Sequence, residues 1–98
     1  MAANKKLTPL LAGRTVKAVS QIDALATISF ADGSSMMIKT GSPLAGLDFQ
    51  ERRVLKVRQT GALMNLDFED GSTVEIQMAE AMSCVMLRDG RGTLEYAD

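Results

Sequence analysis

Sliding the sequence against itself by 38 residues aligns residues 14–40 with 52–78, and eleven of those 27 positions are identical. The pairs are Arg14/Arg52, Val16/Val54, Val19/Val57, Gln21/Gln59, Ala24/Ala62, Leu25/Leu63, Phe30/Phe68, Asp32/Asp70, Gly33/Gly71, Ser34/Ser72 and Ile38/Ile76. Unrelated segments share far fewer, so the chain is read as an internal duplication. Two copies are too few for a solenoid, and 98 residues make one domain. The boundaries that follow are 7–41 for the first unit, 42–78 for the second and 79–98 for a C-terminal hairpin. Residues 1–6 are expected to lie outside the fold.

Each copy carries a strand signal. Ala24, Ala26, Ile28 and Phe30 alternate with polar Thr27 and Ser29. Ala62, Met64, Leu66 and Phe68 alternate with Asn65 and Asp67. This is the period-two pattern of a half-buried strand. Beyond the Asp-Gly pair, Met36 and Ile38, and Val74, Ile76 and Met78, continue on the inner face. Parity then selects the turn, because residues opposite each other in an antiparallel pair share a face. A two-residue Asp32-Gly33 loop sets Ile38 opposite Thr27, which mismatches the faces. A three-residue loop, Ala31-Asp32-Gly33, pairs Phe30 with Ser34, Ile28 with Met36 and Ala26 with Ile38. Its last residue takes a left-handed conformation, which suits Gly33 and Gly71.

Upstream, Val16/Val19 and Val54/Val57 stand three apart. Strict alternation would turn one of each pair outward, so a bulge is expected between them. Thr8-Pro9-Leu10-Leu11-Ala12-Gly13 and Ser42-Pro43-Leu44-Ala45-Gly46 precede the copies. Ser or Thr followed by Pro starts a helical turn and Gly ends it, so a short helical turn is expected before each copy. At the C-terminus, pairing Leu87 with Leu94 and Val85 with Tyr96 leaves Gly90-Arg91 as a two-residue turn. The fold class is therefore all-β: about eight short antiparallel strands forming a small barrel or a strongly bent sheet that hides its edges.

Composition narrows the chemistry. The chain has no His, which removes His-based acid–base catalysis and His ligation of metals. Cys84 is the single cysteine, so no intrachain disulfide forms, and nothing adjacent in sequence activates it as a nucleophile. No Gly-rich phosphate loop opens a helix. Asp67, Glu69 and Asp70 cluster at a turn and are read as solvated turn residues rather than a cation site. No cofactor, metal or catalytic residue is expected, and the chain is not expected to be an enzyme. The N-terminus lacks the apolar segment of a secretory signal, and no apolar run nears the roughly 18 residues of a membrane span. A cytoplasmic protein with no membrane partner is expected.

Two surfaces stand out as candidates. Leu25, Met37, Leu63 and Met86, with Cys84, fall on the nominal outer face by alternation, where they are either capped by the Pro-Leu turns or form an interface with a protein partner or a second copy. The alternative is a basic strand face of Arg52, Arg53, Lys56 and Arg58 that touches nucleic-acid phosphates. That alternative is disfavoured: net charge is -1, residues 51–98 hold nine acidic against six basic side chains, and Phe30 and Phe68 are committed to the core. A non-catalytic interaction or structural module, able to form a homodimer, is the function expected.

Overall fold

The two Asp-Gly turns set the register of both halves. In the computed structural model, which describes residues 2–3, 6–44, 48–81 and 84–97, Phe30 N–H donates to Ser34 C=O and Gly33 N–H to Phe30 C=O. Phe68, Ser72 and Gly71 repeat both bonds. Gly33 and Gly71 have φ of 90° and 89°. Asp32 Oδ1 accepts from the Ser34 N–H and hydroxyl, and Asp70 Oδ1 does the same with Ser72. The Asp residues are therefore engaged in turn chemistry.

From these turns run two three-stranded meanders. The first is β2 (Val16–Ile22), β3 (Leu25–Phe30) and β4 (Ser35–Lys39). The second is β5 (Val54–Thr60), β6 (Leu63–Phe68) and β7 (Thr73–Gln77). Ile28 faces Met36 and Ala26 faces Ile38, just as Leu66 faces Val74 and Met64 faces Ile76. The register shifts between Val16 and Ala18, and between Val54 and Lys56, where the odd valine spacing calls for bulges. Val16, Val54 and Val57 are buried, and Val19 packs against the core.

A two-residue strand, β1 (Ala2–Ala3), pairs with Gln59 and Arg58 of β5. Residues 1–6 carry no strand signal of their own in the sequence. Helix α1 (Leu7–Leu11) buries Leu7 and Leu11. Thr8 Oγ1 accepts from Val57 N–H and donates to Val57 C=O, both at 3.0 Å, so a side chain occupies the backbone groups of β5 at that point. The corresponding turn expected at 42–46 lies partly outside the described residues. Its described part is not helical, and Leu44 N–H donates to Gln21 Oε1 at 2.8 Å.

The C-terminal hairpin differs from expectation. It comprises β8 (Val85–Arg88) and β9 (Leu94–Ala97). Asp89 N–H donates to Thr93 C=O and Gly92 N–H to Asp89 C=O, so the loop has three residues, Gly90-Arg91-Gly92. Leu87 faces Tyr96 and Arg88 faces Leu94, across a register shift. Gly92, at φ 84°, takes the left-handed place that Gly33 and Gly71 take in the earlier turns.

The strands form two sheets, ordered β1-β5-β6-β7 and β2-β3-β4-β8-β9, and do not close into a barrel. The reason is visible at β4. Its outer edge is taken by β8, so it meets β7 only at a corner, where Thr40 bridges Met78. A second corner joins Thr15 to Arg53. The bonds at both corners come in exchanged pairs: Val16 N–H to Arg52 C=O with Val54 N–H to Arg14 C=O, and Gly41 N–H to Gln77 C=O with Ala79 N–H to Lys39 C=O. Each bond maps onto its mate through the 38-residue offset, the arrangement of an approximate two-fold axis.

Between the sheets lie Phe30, Ile28, Met36 and Ile38 from one meander and Phe68, Leu66, Met64 and Ile76 from the other, all fully buried. Phe49 joins them, its ring centroid 5.9 Å from that of Phe68 with the planes tilted by 38°. It lies in the segment before β5, where sequence periodicity did not mark it as core.

Candidate functional site

Register decides which outward residues meet. Met37 faces Met86 across β4 and β8, and Leu25 faces Lys39 across β3 and β4. All four project from the outer side of the five-stranded sheet, opposite in parity to buried Ala26, Met36, Ile38 and Leu87. Together with Cys84 and Val85 they line an open groove of about 300 Å³. Leu25 and Met86 are 36% and 37% exposed, while Cys84 is buried in the wall. Among the described residues, Lys39 supplies the one charge of the lining. It shares the parity of Met37, so alternation alone could have added it to the candidate set.

Leu63 does not belong to this groove. It holds the place of Leu25 in the other copy and therefore projects from the other sheet, opposite Gln77 and Thr60. Repeat equivalence predicts a similar environment in each copy, but it does not bring the two copies together.

The outer faces of the two sheets differ in charge. On the four-stranded sheet, Lys56, Arg58, Asn65, Asp67, Thr73 and Glu75 share one face. The equivalent positions of the first copy are Ala18, Ser20, Thr27, Ser29, Ser35 and Met37, none of them charged. On this face Arg58 and Asp67 neutralise each other. Arg58 donates from Nε and Nη2 to both oxygens of Asp67 at 2.6 and 2.8 Å, a bidentate fork. Hydrogen bonding to Arg58 holds the Asp67 carboxyl below the usual carboxylate range, despite some desolvation; Thr73 and the charge of Lys56 act in the same direction.

Arg52 and Arg53 stand apart from that pair, at the tip of the β6–β7 hairpin. Arg53 Nε lies 3.1 Å from Glu69 Oε2. Arg52 Nε lies 3.8 Å from Asp70 Oδ2, and Arg52 donates to Ser72 Oγ at 3.2 Å. The equivalent Arg14 reaches Asp32 at 3.7 Å and Glu95 at 3.0 Å. The four cations of the basic run thus divide into two groups, and each arginine faces a carboxylate. Asp67, Glu69 and Asp70 are the counter-charges.

No protein-family model, curated protein or solved structure matches this chain. Among the described residues, no helix is long and apolar enough to cross a membrane.

Proposed function

We propose that this protein is a non-catalytic interaction module whose groove of Leu25, Met37 and Met86 takes apolar side chains of a protein partner, with a second copy of the chain as the partner to test first. The observation that carries the reading is the contrast between the two outer faces: equivalent strands present a charged surface with an Arg58–Asp67 pair on one sheet and an apolar groove on the other. Apolar residues drawn to one surface by register are what a protein interface requires. Two-fold homodimers place the same patch on both subunits, so one groove serves both.

Origin by duplication belongs to the same proposal, supported by the 38-residue offset and the exchanged hydrogen bonds at both corners. So does a cytoplasmic location, supported by the single thiol, Cys84, standing unpaired in the groove wall.

Sedimentation velocity tests the interface. A dimer is expected, converted to monomer by Met37→Asp or Met86→Asp. Leu55→Asp, an exposed position of the other sheet, leaves it intact. Circular dichroism confirms that each variant is folded. A monomeric wild type, or a dimer indifferent to both methionine variants, overturns the reading. Salt-sensitive binding of a mixed-sequence oligonucleotide, lost on Lys56→Glu, would establish the basic-face alternative instead.

A further inference from the structure

The two meanders differ in what covers their last edge. In the first, β8 pairs along β4: Ser35 with Arg88, Met36 with Leu87, Met37 with Met86 and Ile38 with Val85. Lys39 N–H adds a bond to Cys84 C=O. In the second, β7 ends its sheet, and among the described residues no strand pairs with its outer edge from Thr73 to Ile76. Contact resumes only at the corner, where Gly41 N–H donates to Gln77 C=O.

Ladder alternation shows which groups are left. Phe68–Ser72 and Ala62–Met78 are hydrogen-bonded pairs. Val74 and Ile76 therefore direct their backbone groups to β6, and Thr73 and Glu75 direct theirs to the open edge. Their equivalents, Ser35 and Met37, are the residues whose outward groups β8 takes. Burial agrees. Met36 is fully buried beside β8, while Val74, its equivalent, is only partly buried. Glu75 is exposed and has no charged partner among the described residues.

We propose that the β7 edge receives an extended segment of a partner protein as an added antiparallel strand with an apolar–basic–apolar pattern. β8 is the template. Its Val85 and Leu87 stand beside Ile38 and Met36, so the occupant carries apolar residues beside Ile76 and Val74. Between them, where Met86 faces Met37, the occupant faces Glu75 and carries Lys or Arg. Main-chain bonds supply affinity and the alternate side chains supply selectivity. A second β7 is a poor occupant, because antiparallel pairing centred on Glu75 sets two carboxylates opposite each other. The edge is separate from the groove, so the two readings fail independently.

The test titrates the ¹⁵N-labelled full chain with a capped synthetic peptide of residues 84–89 carrying Cys84→Ser and Met86→Lys. Binding with Kd on the order of 0.1–1 mM is expected, with amide shifts centred on Thr73 and Glu75. N-methylation of the peptide at position 86, whose N–H faces the edge, is expected to weaken binding about tenfold or more, the loss of one buried hydrogen bond. N-methylation at position 87, whose N–H points away, leaves binding intact. Glu75→Lys weakens this peptide, and a peptide with Met86→Glu restores binding to that variant. Four outcomes overturn the proposal: no shifts up to about 1 mM, equal loss from both N-methylations, shifts centred on Met37 instead, or indifference to Glu75→Lys.

Discussion

Replacing Gly33 and Gly71 by Val separates backbone strain from packing within one molecule. The two glycines hold the same place in equivalent turns, at φ 90° and 89°. Any L-residue there meets the same backbone penalty, roughly 1–2 kcal/mol, and a β-branched residue stands at the upper end. Their surroundings differ. A Cβ built on Gly71 meets nothing within 4 Å, whereas one on Gly33 lies 3.4 Å from Gly90 Cα. Gly90 is as tightly placed, since its own Cβ would lie 3.2 Å from the Asp32 carbonyl oxygen. The first hairpin tip therefore packs against the tip of the C-terminal hairpin. A Val methyl beyond the Cβ at position 33 must displace that tip, which adds about 1–3 kcal/mol of overpacking. Gly71→Val is expected to cost about 1–2 kcal/mol, and Gly33→Val about 2–5 kcal/mol. The larger figure is a substantial share of the roughly 5–15 kcal/mol that holds such a domain together. Urea unfolding followed by circular dichroism measures both, with unchanged m values showing that stability alone has moved. Gly33→Ala and Gly71→Ala should lie close together, because a lone Cβ at 3.4 Å is in ordinary contact. Equal losses for the two Val variants would refute the contact between hairpin tips, and an unaffected Gly71→Val would refute the left-handed turn.

Phe30→Ala and Phe68→Ala are each expected to cost about 3–5 kcal/mol in the same assay. A double-mutant cycle of Phe68 with Phe49 should return a coupling of about 0.5–1.5 kcal/mol from the ring contact. Glu51, at φ 66°, holds the position of Gly13, at φ 89°; Glu51→Gly is expected to raise stability by up to about 1 kcal/mol, read as a higher thermal midpoint. The carboxyls of Asp67, Asp32 and Asp70 are held low by their hydrogen bonds to Arg58, Ser34 and Ser72. Folding therefore gains from their ionised forms above the ordinary carboxylate pKa near 4, and that gain is lost as pH falls through the lower folded values. Stability measured against pH should fall on acidification below about pH 4, and Asp67→Asn should flatten part of that fall.

Local chemistry was legible and pairing between distant segments was not. Parity around Ala31-Asp32-Gly33 fixed a hairpin register that the structure reproduces residue for residue, because a one-residue slip would reverse every side chain of the strand. The valine spacing located both bulges for the same reason. The third turn misled because Gly90 and Gly92 flank Arg91, and each alone suits a different loop length. Phe49 was missed because the segment before β5 has no apolar period to place it. Alternation placed Leu25, Met37, Met86 and Leu63 on outer faces, but alternation gives a face and not a sheet, and Leu63 lies on the other sheet.

The missing information is the choice that β8 makes between two equivalent edges, and particular side chains account for it. On β4 its Met86 meets Met37, an apolar pair on the outer face. On β7 the same residue would meet Glu75 and bury part of a carboxylate against a thioether, an unfavourable exchange. The inner positions discriminate less, since Ile38 and Ile76 are identical and Met36 and Val74 are both apolar. Met37 where β7 has Glu75 thus favours the first meander, together with the Gly33–Gly90 contact and the Arg14–Glu95 ion pair. The same choice keeps β4 from pairing along β7, leaves two sheets in place of a barrel, and builds the groove from Met37 and Met86. Architecture and groove thus both depend on where β8 pairs. Met37→Glu should therefore loosen the C-terminal hairpin as well as charge the groove, a coupling visible as faster amide exchange in β8 and β9 than in β5 and β6.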